Sequence, residues 1–230
     1  MDILYAVGGT SVILSAANGA DIKILNMYSR SPEAFCLYAK DDSISSAEDL
    51  RGKTIAGPTG TNLHQLLIAY LEKAGMTLED VNYVNMAIPD AKAALDGGSV
   101  DAALVAGPTA YKTEQQGYHL VTNGAGLTDA VIAVAVTEKF YNENKEVVEM
   151  FLHAQADIVK YMEENYDETM EIVADELDLE KEAVEEMYQQ YDFSIETTDA
   201  DRQAFQNVAD FMFDAGMIEA ELDTTNLFLQ

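Results

Sequence analysis

Residues 45–108 constrain the fold most, because short apolar runs alternate there with segments of helical periodicity. The alternation predicts strands and helices in turn, at 53–56, 63–74, 81–86, 89–95 and 100–106. In the longer helix the apolar residues recur at three- and four-residue steps: Leu63, Leu66, Leu67, Tyr70, Leu71 and Ala74. Gly75 ends it. This order is typical of a parallel sheet with crossover helices.

Two loops follow strands of this predicted sheet. Gly57–Asn62 leads from the first strand into the longer helix, and Gly107–Thr109 follows the third strand. Ligands of parallel sheets bind beyond the carboxyl ends of the strands, so we expect both loops to belong to a ligand site. Upstream, Ser45 and Glu48 have the spacing of a capping box, which predicts a short helix there.

Three segments of this region resemble the extracytoplasmic solute-binding proteins of ABC importers. They read DLRGKTIAGPTGTNLHQLL, LEKAG and AALDGGSVDAALVAGP. The resemblance is to the branch that handles aliphatic sulfonates, taurine, nitrate and thiamine-precursor pyrimidines. In that branch a D-L-x-G-K segment precedes a glycine loop at a helix start. Gly107 departs from the pattern, since many relatives have an acidic residue before this proline.

The resemblance implies an α/β fold that is two-lobed and periplasmic-binding-protein-like (type II), with parallel-sheet lobes and a helical C-terminal region. It also implies a function, in which the lobes close around a small polar molecule in an interlobe cleft and present it to the membrane permease of an ABC importer. Such a receptor works outside the cytoplasm, in the periplasm or lipid-anchored at the cell surface. We expect a monomer without a cofactor.

Two parts of the chain share one plan, which predicts the lobes. Asp2–Leu25 and Asp101–Val121 each contain an aspartate, an apolar strand, a Gly-x-Thr turn, a helix that ends at glycine and a further strand. The apolar run Val131–Val136 is predicted to be a strand that returns to the first lobe. The predicted boundaries are 1–42 with 131–230 for lobe 1 and 43–130 for lobe 2.

The first copy of this plan has no counterpart of residues 53–100, which precede the second copy. The comparison therefore predicts that the chain begins within its first lobe, as a fragment or trimmed product would. We expect such a lobe to leave strand edges and apolar helix faces uncovered. It would then be loosely packed, covered by a neighbouring copy, or completed by rearrangement of the C-terminal helices.

The charge of the chain excludes two classes of partner. A net charge of −28 opposes binding to nucleic acid and to anionic membrane surfaces. Residues 137–230 carry 26 acidic and 5 basic side chains, which favours solvated helical faces over an acidic docking surface. No apolar run approaches the ~20 residues that span a membrane, and residues 1–20 lack an export signal. The single cysteine, Cys36, fits either redox compartment.

After the return strand the sequence is helical and has four apolar stripes at helical spacing. The stripes are Val147, Val148, Phe151, Ala154, Ile158, Val159 and Met162; Ile172, Val173 and Leu177; Val184, Met187, Tyr188 and Tyr191; and Phe205, Val208, Phe211 and Met212. We expect all four to be core and assign them no function.

Helix starts supply the chemistry of the predicted site. The unpaired N–H groups and partial positive charge at a helix N-terminus hold oxyanions, and threonine or asparagine side chains add donors. Ordinary helix capping by the threonines is the alternative. The predicted ligand-binding residues at two matching helix starts and at the second loop are Gly9, Thr10, Ser11, Gly60, Thr61, Asn62, Pro108 and Thr109.

Three further polar residues have two interpretations each. Arg30, in a polar loop between two predicted strands, either pairs with a bound anion or is an ordinary surface arginine. Asp129, just before the return strand, either binds a ligand amine or merely starts the strand. His64, one turn into the helix after Thr61, either faces the pocket or is partly exposed.

Enzyme motifs are missing from the sequence. The glycine loop lacks the Gly-Lys-Ser/Thr ending of a nucleotide-binding loop, and neither G-x-G-x-x-G nor G-x-S-x-G occurs. The three histidines have no metal-ligand spacing with one another or with the cysteine. The sequence therefore predicts a binding protein without a metal.

Two other classes of function stay open. One is an enzyme of the same fold, a menaquinone-pathway lyase or a pyrimidine synthase, with Asp129 and His64 as the candidate acid or base. Pyrimidine synthases of this kind use a cysteine-rich segment, which a chain with one cysteine cannot supply. The other is the ligand-sensing domain of a regulator.

Overall fold

The computed structural model describes residues 2–229, so Met1 and Gln230 of the predicted first lobe lie outside the described residues. The strands are β1 Ile3–Gly8, β2 Ile22–Arg30, β3 Phe35–Ala39, β4 Thr54–Gly57, β5 Asn82–Asn85, β6 Ala102–Ala106, β7 His119–Asn123 and β8 Val131–Thr137. The α-helices are α1 Gly9–Ala17, α2 Asn62–Lys73, α3 Ile88–Asp96, α4 Gly107–Gln115, α5 Glu138–Glu143, α6 Lys145–Glu164, α7 Tyr166–Leu177, α8 Lys181–Tyr188 and α9 Asp199–Asp214. Between residues 2 and 229, no helix is both long enough and apolar enough to cross a bilayer.

The described residues fold into two units, residues 2–30 with 131–229 and residues 31–130. The boundary predicted at residue 42 is wrong, because residues 31–42 belong to the second unit. Strand β3 lies in this segment and pairs with β6 on one side and β7 on the other. Its side chains Cys36 and Tyr38 are buried with Ala103 and Val105 of β6.

The second unit confirms the strand–helix alternation predicted for residues 45–108. Its five-stranded sheet has the order β5-β4-β6-β3-β7. Strand β4 pairs in parallel with β5 and with β6, as the crossover helices require. Strands β3 and β7 add antiparallel pairs, so the sheet is mixed. The predicted apolar face of α2 is core, with Leu63, Leu66, Leu67 and Leu71 at most 1% exposed.

The predicted capping box at Ser45 and Glu48 is wrong. The segment forms a short 3-10 helix at Glu48–Leu50, and Asp49 accepts the local hydrogen bonds. Its Oδ2 atom accepts from the backbone N–H of Ser46 at 2.9 Å and from the Ser46 hydroxyl at 2.9 Å. Asp49 stands three residues after Ser46, which is the spacing from which a carboxylate reaches back to a backbone N–H.

The first unit repeats part of the second. Its three-stranded sheet has the order β1-β8-β2, with β8 antiparallel to both neighbours. Strands β6, β3 and β7 of the second unit have the same arrangement. In each unit a central antiparallel strand lies between the two strands that flank one helix. The outer edge of β6 pairs with β4, whereas no strand within residues 2–229 pairs with the outer edge of β1. Strand β1 is therefore an edge strand, as β5 and β7 are in the second unit.

The helical region is only partly core. Helices α1 and α9 bury one face of the first sheet, through Ile13, Met27 and Phe205, each fully buried. The stripe on α9 is therefore confirmed as core. The stripes on α6 and α7 are not, since Val147 is 49% exposed, Ile158 53% and Ile172 54%. Helical periodicity marks an apolar face, but the face is buried only where another element covers it.

Candidate functional site

The carboxyl ends of β4 and β6 place two helix starts side by side in the second unit. These strands are parallel neighbours, so their carboxyl ends meet at one edge of the sheet. Strand β4 ends at Gly57, the loop 58–61 follows, and α2 begins at Asn62. Strand β6 ends at Ala106, and α4 begins at once with Gly107, whose φ is +54°. Thus Gly60, Thr61 and Asn62 lie at one start and Pro108 and Thr109 at the other.

Close packing of the two strands requires glycine at position 57. A Cβ atom built on Gly57 would lie 2.7 Å from the Cβ atom of Leu104 in β6. Real Cβ atoms do not approach so closely, so any larger residue would force the strands apart.

The loop 58–61 is held by its own hydrogen bonds. Gly60 has a φ of +74°, which favours glycine, and its N–H donates to Nδ1 of His64 at 3.3 Å. The Thr61 hydroxyl donates to the Pro58 carbonyl at 2.8 Å. The Thr59 N–H donates to Oδ1 of Asn85, at the end of β5, at 3.0 Å. These bonds give the loop a defined conformation.

The hydrogen bonds of Thr61 contradict one of its two predicted roles, the helix cap. Thr61 is the residue before α2, but its side chain accepts no capping bond from the helix. Its hydroxyl donates to the Pro58 carbonyl in this structure, and its predicted role as a ligand donor stays a prediction. The oxygen keeps lone pairs, and the backbone N–H groups of the first turn are the groups of α2 that suit an anion.

His64 is buried, contrary to the expectation of a partly exposed helix residue. It is 6% exposed, and its ring stacks on Tyr83 of β5 with 4.8 Å between ring centroids and 17° between planes. Burial lowers the pKa of His64 below its ordinary value. Tyr83 in turn donates its hydroxyl to the Gly57 carbonyl at 2.8 Å, and burial raises the pKa of Tyr83 to about 12. Both side chains are therefore neutral, and their hydrogen bonds hold the loop in place.

The matching start in the first unit is that of α1, directly after β1. Gly9 is needed for packing, because a Cβ atom there would lie 2.8 Å from Cγ2 of Val131. Thr10 is fully buried and Ser11 is half-buried, and the Ser11 carbonyl accepts a hydrogen bond from the Ser15 hydroxyl at 2.8 Å. No side chain caps this helix start.

Arg30 is committed to contacts within the first unit. Its Nε donates to Oδ1 of Asp201 at 2.5 Å, and Nη2 donates to Oδ2 of the same carboxylate at 2.6 Å. The remaining donors reach the carbonyls of Ser194 and Glu196, and Oδ2 of Asp192 lies 3.5 Å from Nη1. The hydrogen bond to Asp201 raises the pKa of Arg30. The pair ties β2 to α9, so Arg30 is not an ordinary surface arginine, and its predicted contact with a ligand stays a prediction.

Asp129 is exposed and lies two residues before β8. Ala130, which follows it, has a φ of +42°. This position agrees with the second interpretation of Asp129, a residue at the start of the strand.

Electrostatics distinguish three helices from the others. The first turns of α1, α2 and α4 contain no acidic residue, and no side chain caps these helices. Each of the other α-helices between residues 2 and 229 has an aspartate or glutamate in its first turn. In a chain with 41 acidic residues, these three starts keep the partial positive charge of their helix ends. The sequence carries this signal once the helix starts are known.

Metal ligands and the thiol are the remaining groups with possible chemistry among the described residues. No group of three or more histidine, cysteine, aspartate or glutamate side chains within residues 2–229 is placed to hold a metal ion. Cys36, the one thiol, is 6% exposed, and burial raises its pKa to about 12. A thiol in this state is a poor nucleophile because the reactive form is the thiolate.

Comparison with known proteins gives one family match and several relatives. The family described as NMT1/THI5 like matches residues 6–169. The taurine-binding periplasmic protein of Escherichia coli (strain K12) is 29% identical over 157 residues, 66% of this chain and 48% of that protein. A Brachyspira hyodysenteriae (strain ATCC 49526 / WA1) protein, named as an ABC transporter periplasmic binding protein, is 29% identical over 158 residues, 66% of this chain and 42% of that protein. The chain spans less than half the length of these curated relatives.

Solved structures share the fold. The alkanesulfonate-binding protein SsuA from Xanthomonas axonopodis pv. citri, bound to MOPS, superposes with a TM-score of 0.89 at 21% identity, over 100% of this chain and 80% of that one. The desulfurization enzyme DSZB superposes with a TM-score of 0.75 at 16% identity, over 98% of this chain and 82% of that one. The predicted fold class is thereby confirmed, and the same fold occurs in a binding protein and in an enzyme.

Proposed function

The chain belongs to the NMT1/THI5-like family, and from that premise we propose that it is a solute-binding receptor of an ABC importer. It works outside the cytoplasm, where it binds a small organic oxyanion and delivers it to a membrane permease. The relatives named as periplasmic binding proteins support the receptor role and the location.

The observation that carries this proposal is the absence of acidic residues from the first turns of α1, α2 and α4. A net charge of −28 repels anions at long range. Physiological salt screens that repulsion over ~8 Å, so local groups decide affinity. A helix start contributes roughly 0.3–1 kcal/mol to an adjacent anion, and up to about 2 kcal/mol where it is partly buried. A helix start without carboxylates favours the binding of an anion, whereas a helix start with a carboxylate opposes it.

Sulfonates are the first class of ligand to test. The two starts of the second unit present backbone N–H groups to a common edge of the sheet, which suits the several acceptor oxygens of a sulfonate. The taurine-binding relative and the alkanesulfonate-binding structure support the same class. Carboxylates carry the same negative charge as sulfonates but have fewer acceptor oxygens. Pyrimidines are the neutral class of ligand to test.

A catalytic role is the second candidate, because DSZB has a similar fold. An enzyme would need a positioned nucleophile, acid or base at the site. The burial of Cys36 and His64, and the engagement of Nδ1 of His64 by the Gly60 N–H, favour binding without turnover. We therefore propose that the ligand is released unchanged.

Isothermal titration calorimetry with taurine, ethanesulfonate, acetate, a pyrimidine and a tetraalkylammonium salt tests the proposal. We expect a sulfonate to bind, the ammonium salt not to bind, and the ligand to be recovered intact after incubation. Binding of the cation alone would contradict the proposal, and so would a product formed in more than stoichiometric amount.

A further inference from the structure

His64 occupies the third position of α2, where it accepts a hydrogen bond from the backbone that precedes the helix. The acceptor is Nδ1, the donor is the Gly60 N–H, and the distance is 3.3 Å. Since Nδ1 accepts, the proton of the neutral ring is on Nε2. Nε2 is buried and has no hydrogen-bond partner among the described residues. The ring is therefore placed by Gly60 and by the stack on Tyr83.

Two other helix starts have a carboxylate at the third position, where it accepts from the N–H of the residue directly before the helix; His64 accepts from Gly60, one residue earlier. Thr77 and Asp80 form a capping box, and so do Thr198 and Asp201, with the aspartate at the third position in both. Thr61 and His64 have the same three-residue spacing. At α2, therefore, histidine stands where the other two helix starts use a carboxylate.

We infer that His64 is a specificity-determining positioning residue of the anion site at α2. An aspartate or glutamate at this position could accept the bond that fixes the loop, but its negative charge would lie in the first turn of the helix. A neutral imidazole accepts the bond without that charge. This inference rests on the proposed function, because keeping a helix start free of negative charge matters only if an anion binds there.

The surroundings of His64 keep it neutral at physiological pH. Its side chain is almost wholly buried, against the ring of Tyr83, and burial disfavours the imidazolium. Neutrality preserves the acceptor at Nδ1, because a protonated ring has no acceptor.

The test compares His64→Gln with His64→Glu, using ethanesulfonate as the probe. Both side chains can accept the Gly60 hydrogen bond, but only glutamate adds a charge. We expect the glutamine variant to bind within about threefold of the original protein and the glutamate variant to bind about tenfold more weakly. Tenfold is the loss that a like charge about 6 Å away produces at an effective dielectric constant of about 40. The glutamate variant should regain affinity as the pH falls and its carboxyl group protonates, whereas the glutamine variant should not.

Further variants separate the positioning role from the charge effect. His64→Ala removes the acceptor, so its melting temperature should be lower than that of His64→Gln. If the buried glutamate prevents folding, Thr59→Glu and Thr59→Gln repeat the charge comparison at an exposed position of the same loop. The glutamate variant at Thr59 should again be the weaker binder.

The outcomes distinguish this inference from the proposed function. Equal affinities of the glutamate and glutamine variants would overturn the specificity role while the receptor function stands. A melting temperature of His64→Ala equal to that of the original protein would overturn the positioning role. Failure of the unsubstituted protein to bind ethanesulfonate, acetate or inorganic sulfate would overturn the proposed function and this inference with it.

Discussion

Replacement of Arg30 by methionine should destabilise the protein without touching the ligand site. The guanidinium side chain is 19% exposed and its partner Asp201 is 4% exposed. Loss of one partner from a buried pair leaves an uncompensated charge, at a cost of about 3–5 kcal/mol. Here we expect the lower end, about 3 kcal/mol, because Oδ2 of Asp201 still accepts from the N–H and hydroxyl of Thr198, each at 2.7 Å.

The matched control removes both charges. In Arg30→Met with Asp201→Asn, the asparagine oxygen can still accept from Thr198, and no buried charge is left. We expect the double variant to recover most of the lost free energy of unfolding, since an ion pair and a neutral replacement are often close in stability. Urea denaturation followed by far-ultraviolet circular dichroism measures all three proteins. The chain has no tryptophan, so tyrosine emission supplies the second probe.

The pH dependence of this effect has a definite sign. Burial alone would raise the pKa of Asp201, but the hydrogen bonds from Arg30 and Thr198 outweigh it and hold the pKa below its usual value. The stability that the pair contributes is therefore present above the ordinary carboxyl pKa of about 3.9. It is lost as the pH falls through the lower, folded-state value. The difference between the original protein and Arg30→Met should be largest near neutral pH and should shrink in acid.

Two results would refute this reasoning. A destabilisation of less than about 1 kcal/mol would mean that the pair is no stronger than an exposed one. A folded Arg30→Met variant that no longer binds a sulfonate would make Arg30 a ligand residue, which is one of the two interpretations that the sequence left open.

Three further predictions concern packing and reactivity. Gly57→Ala should cost about 1–3 kcal/mol in unfolding free energy, because the new Cβ atom would lie 2.7 Å from that of Leu104; unchanged stability would contradict the close approach of the strands. Cys36, with its pKa raised to about 12, should react with a thiol reagent at pH 8 roughly a thousandfold more slowly in the native protein than in urea. Met212→Ala, at a fully buried site, should cost about 2–5 kcal/mol, whereas Ile158→Ala, at a site that is 53% exposed, should change stability by about 0.5 kcal/mol or less; thermal denaturation compares the two.

Local patterns in the sequence predicted the parts of the fold that are held locally. Helix α2 follows from the spacing of its leucines, because side chains at three- and four-residue steps share one face. The partner of Arg30 could not be predicted in this way, since Asp201 lies 171 residues further along the chain. The role of Thr61 was also missed, because a threonine before a helix can bond forward to the helix or back to the loop, and the sequence does not distinguish the two.

The repeated strand–helix–strand segments show where local prediction ends. The sequence revealed β1-α1-β2 and β6-α4-β7 as copies, because each is contiguous and keeps the same order of strand, turn and helix. In both units, however, the two strands of the copy do not pair directly with each other; a third strand, β8 or β3, lies between them. In the second unit this strand precedes the copy by more than sixty residues, and in the first it follows by about a hundred. Long-range pairing of this kind is decided by which strand can bury both of its faces, and β8 does so with Ala133, Val134, Ala135 and Val136 all fully buried. The apolar run alone predicted a strand, but only the assembled sheet determines that it becomes the centre of the first unit.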